Sequence, residues 1–371
     1  MGTQQPTPSQ PPQPPPASPP PPPTAKTSKE KRIELIEALQ KERGTYVISY
    51  VTNTRANLET QMAMDSIRKV YDHLQFLTKP KDDAKIDLFL HSNGGDGTVP
   101  WRLVTLIRER ANKFSVLVPH KAFSAATLTA LGAHEIAMHP MGMLGPTDPT
   151  VTNSFNPPDP VRPGQNLGIS VEDVTAYIAL IKEDAGIQHE DELVQAFKIL
   201  AEKVHPLALG NVKRSLSQSR MMARKLLALH MSKTADEHAI EEIVDNLTSK
   251  LFYHGHPINR KEAKEQVGLK TVVDPPTKVE ELMWDLYLEY ESEMKLEEPF
   301  NQVFEFLAQI PNVTAAGATT PPATAKLAYV ESVNRTDVVK LEYEIRGAPA
   351  PPPMAGIHVQ LLTLQQRWET E

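Results

Sequence analysis

Apolar positions along the chain switch repeatedly between helical and strand spacing. In "SKEKRIELIEALQKERG" they recur every three or four residues, which predicts a helix with Ser28 as N-cap and Gly44 as C-cap. Tyr46 to Val51 then reads as a strand. "LETQMAMDSIRKVYDHLQFL" (58–77) returns to helical spacing, "IDLFLH" (86–91) is a short apolar strand, and "WRLVTLIRERA" (101–111) is a helix. "FSVLV" (114–118) and "EIAMH" (135–139) are further strands, and between them lies a small-residue helix headed by Ser124. Short strands alternating with longer helices predict an α/β fold on a mainly parallel sheet.

Beyond Pro140 the pattern lapses into a long Pro-, Gly- and Asn-rich loop. Three helical segments follow, at roughly 170–184, 190–204 and 206–231. Next come a helix, a loop, a short helix and a strand, and then a helix over 279–295. This last helix carries Met283, Trp284, Leu286 and Leu288 on more than one side. A helix apolar beyond one stripe buries its excess, here expected against a neighbouring subunit. "LAYVESV", "VVKLEYEIRG" and "IHVQLLTLQQRW" alternate like antiparallel strands. The expected organisation is a tail (1–25), an N-terminal helix (26–44), a main domain (45–293) and a small C-terminal β extension (294–371).

Composition refines this picture at three points. Twelve of the first 25 residues are proline, so the tail is expected to be disordered, as coil or polyproline II. It reads as a spacer or as a ligand for Pro-recognising modules. The chain has no cysteine, which excludes disulfides and thiolate chemistry and suits a reducing, cytoplasmic setting. No apolar run reaches the ~20 residues needed to span a bilayer. A net charge of −7 argues against general nucleic-acid affinity, and the basic run 213–225 reads as a solvated helix face. His254 and His256 form an H-x-H pair without a supporting carboxylate cluster, so neither metal nor cofactor is expected.

Two features carry chemistry. "HSNGGDG" (91–97) follows a strand and precedes a helix, and its adjacent glycines can turn amides outward into an anion-binding concavity. Ser124 follows another strand at the start of a helix. Each alone reads equally as a turn or a packing residue. At matching strand ends, the Gly94, Gly95 and Ala125 amides are placed to stabilise an oxyanion beside the Ser124 hydroxyl.

"LFLHSNGGDG…VPHKAFSAATLTALGAHEIAMHPMGMLGPTDPTV" resembles the serine dehydrogenase proteinase family. That family is distantly related to the Clp protease proteolytic subunit and to signal peptide peptidase A. The resemblance spans about 45–285, is strongest over 86–150, and recurs in "VHPLALGNV" (204–212) and "YHGHPINRKEA" (253–263). It implies the Clp/crotonase fold of repeated ββα units and a serine peptidase acting on peptide or protein substrates. It also implies homo-oligomers, with a separate unfoldase or membrane-associated partner. By the same resemblance Ser124 is the nucleophile, with Gly94, Gly95 and Ala125 as oxyanion donors. A Ser, Asp, His order maps onto Ser124, Asp148 in "GPTDP" and His205 in "VHPLALG".

Pro206 suits the first turn of a helix, which puts His205 at a helix N-terminus, where a neutral imidazole is favoured as a base. His254 is the rival imidazole. A lysine base as in signal peptide peptidase A is the other alternative; Lys182 and Lys203 adjoin acids that hold them charged, and Lys213 also falls in the right segment. Two further readings keep the fold: a crotonase-type acyl-CoA enzyme, for which Asp96 is the only acid in the glycine turn, and an inactive peptide-binding scaffold.

Overall fold

A computed structural model of the 371-residue chain describes residues 26–160, 164–250, 255–314, 316–350 and 356–371. The expected disordered tail lies outside these residues. The chain opens with helix α1 (Ser28–Arg43), whose N-cap is Thr27 rather than Ser28. Thr27 and Glu30 form a reciprocal capping box, and Gly44 closes the helix at φ +65°. A threonine with glutamate three residues on satisfies two orphan donors, which a cap at Ser28 would not.

Strand β1 (Tyr46–Thr52), helix α2 (Asp65–Leu74), strand β2 (Lys85–His91) and helix α3 (Val99–Arg110) follow. Helix α2 is half the expected length, because the backbone of buried Met62 lies extended against the glycine turn instead. Strands β3 (Lys113–Val118) and β4 (Lys121–Ala122) lead into helix α4 (Ala125–Leu131), and strands β5 (Glu135–Met138) and β6 (Met143–Leu144) come after it. A hairpin of β7 (Thr150–Val151) and β8 (Ile169–Ser170) precedes helices α5 (Val171–Ala179), α6 (Glu190–Lys203), α7 (Pro206–Leu227) and α8 (Glu237–Asp245). Strand β9 (Ile258–Asn259), helix α9 (Arg260–Glu265), strand β10 (Val272–Val273) and helix α10 (Thr277–Met294) complete this part. Helix α11 (Gln302–Gln309), unforeseen in the sequence, and strands β11 (Ala318–Thr319), β12 (Ala323–Ser332), β13 (Arg335–Pro349) and β14 (Ile357–Thr370) form the rest.

One sheet runs β10-β5-β3-β2-β1-β12-β13-β11, with β14 also on β13. The strands from β10 to β1 are parallel, and the C-terminal ones are antiparallel, so the sheet is mixed. β3 and β5 each continue into a short strand of a second layer, ordered β4-β6-β9, and Ser92 after β2 bridges to Ala122 in the same layer. This is the expected ββα repeat: a main strand, a short second-layer strand, then a helix, as in β3-β4-α4.

The C-terminal strands do not stand apart. β12 pairs along β1, with Ser49 opposite Glu331. Buried Glu331 accepts from Arg32 at 2.7 Å, Tyr290 at 2.6 Å and Thr336 at 2.8 Å, linking α1, α10 and β13. Helix α10 buries Val279, Met283, Leu286, Tyr287 and Tyr290 against α1 and the sheet. Trp284 is partly buried in the same cluster, and Leu288 is exposed. Met283 and Leu286 are therefore buried within the same chain, while Leu288 stays exposed. Among the described residues, no helix is long and apolar enough to cross a membrane.

Burial also fixes charge states. His91 is wholly buried, and desolvation with neighbouring His120 and Lys121 holds it well below the usual imidazole range. Burial, Lys121 and His139 push His120 down to about 4, against a weaker pull from Glu297. His73, His134, His139 and His230 are lowered too, chiefly by burial. His73 Nδ1 lies 2.8 Å from Ser332 Oγ and its Nε2 lies 3.2 Å from Asp337. This Ser–His–Asp set is completely buried, so it serves structure. Burial of Asp337 would raise its carboxyl, but hydrogen bonds from Arg335, Thr370 and Lys69 outweigh this and bring it to about 2.

Two outcomes follow. Histidines that stay neutral when folded but take protons when unfolded make stability fall as pH drops below about 6.5. His91 and His120 together give a slope of about two protons near pH 5, or about 2.7 kcal/mol per pH unit. Asp337, lowered in the fold, adds a further loss as pH falls from about 4 towards 2. Urea denaturation across pH 4–7 reads the histidine slope, and a value under one proton would contradict it. Separately, Glu331→Ala strands the Arg32 guanidinium in the core and is expected to destabilise by about 3 to 5 kcal/mol, read by the shift of the urea midpoint at constant m.

Candidate active site

The site is built where β2 and β3 end. The Ser92 N–H donates to Lys121 O at 2.8 Å, and the Phe123 N–H donates to Ser92 O at 2.9 Å, so the residues leading to Ser124 run beside the glycine turn. Buried His91 adds a third tie, its Nδ1 accepting from the Lys121 N–H at 3.2 Å. On the other flank, the Met62 N–H donates to Gly94 O at 2.8 Å and the Asp96 N–H to Met62 O at 2.9 Å. Glycine is required at both central positions. A Cβ on Gly94 (φ +99°) would lie 2.7 Å from Phe123 O and 2.8 Å from Ser124 Cβ. On Gly95 (φ +152°) it would lie 2.4 Å from Met62 O.

Ser124 has φ 51° and ψ −111°, a region non-glycine residues rarely enter and one that costs about 1 to 3 kcal/mol. It sits at the N-cap of α4, yet its side chain makes no capping hydrogen bond. The hydroxyl is thus not spent on the helix. Thr127 Oγ1 anchors the helix by donating towards Ala122 O and Gly145 O, at 2.7 and 2.9 Å.

Ser124 opens into a cavity of about 470 Å³. One wall is the turn with Asn93, Gly95, Asp96 and Gly97; another is Thr147, Pro149 and Thr150 of the "GPTDP" segment. The third is the face of α7 bearing Ser215, Gln218 and Ser219. Ser219 Oγ donates to Thr147 O at 2.5 Å, clamping this helix to the segment.

The three expected oxyanion donors are not alike. The Gly94 N–H donates to Ser92 Oγ at 3.0 Å, and Thr52 Oγ1 donates to the same oxygen at 2.7 Å. Gly95 and Ala125 both line the cavity beside Ser124, and their N–H groups have no acceptor among the described residues. These are the two amides the geometry leaves for a developing negative charge.

The other expected residues are placed as follows. Asp148 is buried between Thr147 and Pro149, both of which line the cavity. His205 is exposed at the N-cap of α7, where Nδ1 accepts from the Leu207 N–H at 3.1 Å and the ring stacks on Phe155 with centroids 5.0 Å apart. Ten residues of helix separate it from Ser215, about 15 Å along the axis. Lys213 is exposed and lies about 200° around α7 from Ser215, so it faces away from the cavity. His254 lies outside the described residues. No histidine, lysine or arginine lines the cavity among those that are described. His256 Nε2 is paired with Glu262 at 2.8 Å, and no group of three or more metal-ligating side chains occurs among the described residues.

Sequence reasoning missed Ser215, Gln218 and Ser219, taking their segment as a solvated basic face. Its Arg220 and Arg224 instead pair with Asp245 and Glu241 of α8, which turns the serines inward. Their signal was present as small polar residues at i, i+4 spacing, the spacing that shares a helix face. Gln61 and Met62 were missed because they were assigned to a helix.

The geometry agrees with the comparisons. The family model for ClpP-like SDH-type serine proteinases matches residues 21–222. MJ1495, an uncharacterized protein of Methanocaldococcus jannaschii, is 26% identical over 260 residues, covering 69% of this chain and 76% of its own. MJ0137 of the same organism is 25% identical over 260 residues, covering 69% and 78%. With Ser124 beside a glycine turn on a mainly parallel sheet and a family match over more than half its length, the chain belongs to the ClpP-like SDH-type serine proteinases.

Proposed function

We propose that the protein is a serine peptidase that forms an acyl-enzyme on Ser124. The carrying observation is the juxtaposition of an uncommitted Ser124 hydroxyl, in a strained backbone, with the free Gly95 and Ala125 amides at one cavity. In the reaction the Ser124 Oγ–carbon bond forms and the carbon–nitrogen bond breaks, while the hydroxyl proton passes through a base to the leaving amine. Water then cleaves the ester. Each oxyanion donor contributes roughly 3 to 4 kcal/mol to such a step. The role of Gly94 is close approach, its missing side chain letting the turn lie on Ser124.

His205 is the base in this reading and Asp148 its partner. His205 acts once the N-terminal end of α7 reaches the cavity. What holds it away is its stack on Phe155, its bond from the Leu207 N–H and the burial of Ala208 and Val212 on the first turns of α7. Until that movement occurs, serine and oxyanion hole work without a base, and activated esters should react far faster than amides.

Three measurements test this. An uncharged fluorophosphonate should label wild type on Ser124, and Ser124→Ala should lose both labelling and peptide hydrolysis while keeping its circular dichroism. Full hydrolysis by Ser124→Ala would sink the proposal. In one peptide assay, His205→Ala should lose nearly as much as the serine variant, since triad members act as a unit. His254→Ala and Lys213→Ala should retain activity, and the reverse pattern would reassign the base. Gly95→Ala should reduce kcat at least 100-fold, because its Cβ collides with the Met62 backbone and displaces an oxyanion amide.

A further inference from the structure

The cavity beside Ser124 is polar, and its charge is one-sided. Side chains facing from α7 and from residues 147–150 are hydroxyls, an amide and one proline, namely Ser215, Gln218, Thr147, Thr150 and Pro149, with Leu128 of α4 below them. The one ionisable side chain on its lining is Asp96, at the exposed rim of the glycine turn. Asp96 is held in place. Its Oδ1 accepts from both the N–H and the hydroxyl of Thr98, at 2.8 and 2.7 Å. Its Oδ2 is left for a ligand. No cation on the lining neutralises it among the described residues.

From this we infer that the residue whose carbonyl is attacked by Ser124 carries a cationic side chain, lysine or arginine, and that Asp96 selects it. The inference rests on the acyl-transfer reading of Ser124. The side chain nearest the nucleophile is that of the attacked residue, and Ser124 lines this cavity. An aliphatic side chain placed there would strip water from the hydroxyls and amide without replacing their hydrogen bonds, which is unfavourable. An acidic side chain would meet Asp96 with no cation in reach. A lysine or arginine supplies donors to the hydroxyls, the Gln218 carbonyl and the free carboxylate oxygen together. Charge-assisted bonds of this kind are the stronger ones, and a site built to hydrogen-bond its substrate rejects analogues that lack the group.

The test uses full-length protein and three activated peptidyl esters differing only at the attacked residue: lysine, the uncharged isostere norleucine, and glutamate. Rates are normalised to Ser124 labelled by the uncharged fluorophosphonate. Wild type is expected to favour lysine over norleucine about tenfold in kcat/KM, with glutamate slowest, and the preference should shrink between 50 and 500 mM salt. Asp96→Asn keeps the acceptor for Thr98 but not the charge, and should bring the lysine-to-norleucine ratio within twofold. Asp96→Lys should move the preference to glutamate. A wild-type ratio below two, or one unchanged in Asp96→Asn, would overturn the inference while labelling still upheld the nucleophile. Failure of the probe to label Ser124 would overturn the acyl-transfer reading and this inference with it.

Discussion

Two backbone hydrogen bonds between Ser92 and the Lys121–Phe123 segment hold the chemistry of this protein together. They carry the order of the parallel sheet past its last regular residues, so that the glycine turn after one strand and Ser124 after the next stay in register. Everything at the site hangs from that junction. Ser92 also uses its hydroxyl there, accepting from Gly94 and Thr52. A small buried side chain thereby decides which glycine amide faces the cavity. The His91–Lys121 bond reinforces the same junction from the core side, with an imidazole that burial keeps neutral.

The junction needs a stiff platform. β2 and β3 are interior strands, flanked by β1 and β5, and β1 is itself covered on its far edge by β12. Without the C-terminal strands β1 would present an open row of unpaired backbone groups. The Arg32–Glu331 pair ties this added edge to α1 and α10 on the same face of the sheet. A buried ion pair of this kind contributes little net energy against an apolar substitute, but it is strongly unfavourable to break. It therefore acts as a constraint on which helix and strand meet.

One half of the site is rigid: the glycine turn, Ser124 and the Gly95 and Ala125 amides are held by main-chain bonds and by glycines that admit no side chain. The third wall, α7, is clamped at Ser219 but carries His205 about four turns away at an exposed end. Strain is stored at Ser124, in the rigid half, where surrounding bonds over-determine the backbone.

The element order, the glycine turn, the serine and the family resemblance were legible in the sequence because each depends on neighbours a few residues apart. Periodicity set the starts of α5, α6 and α7 to within a residue, and the Gly-Gly pair announced a backbone that side chains would block. The sequence could not show that Met62 leaves its helix to grip the turn, or that α1 covers the second face of α10. Nor could it show that Gly94's amide is taken while Gly95's is free, or that Ser215 and Ser219 face inward. Apart from the Gly94–Ser92 bond, those outcomes rest on hydrogen bonds and packing between residues tens to hundreds of positions apart. Local pattern states what each segment can do; only the folded chain decides which partner each polar group meets.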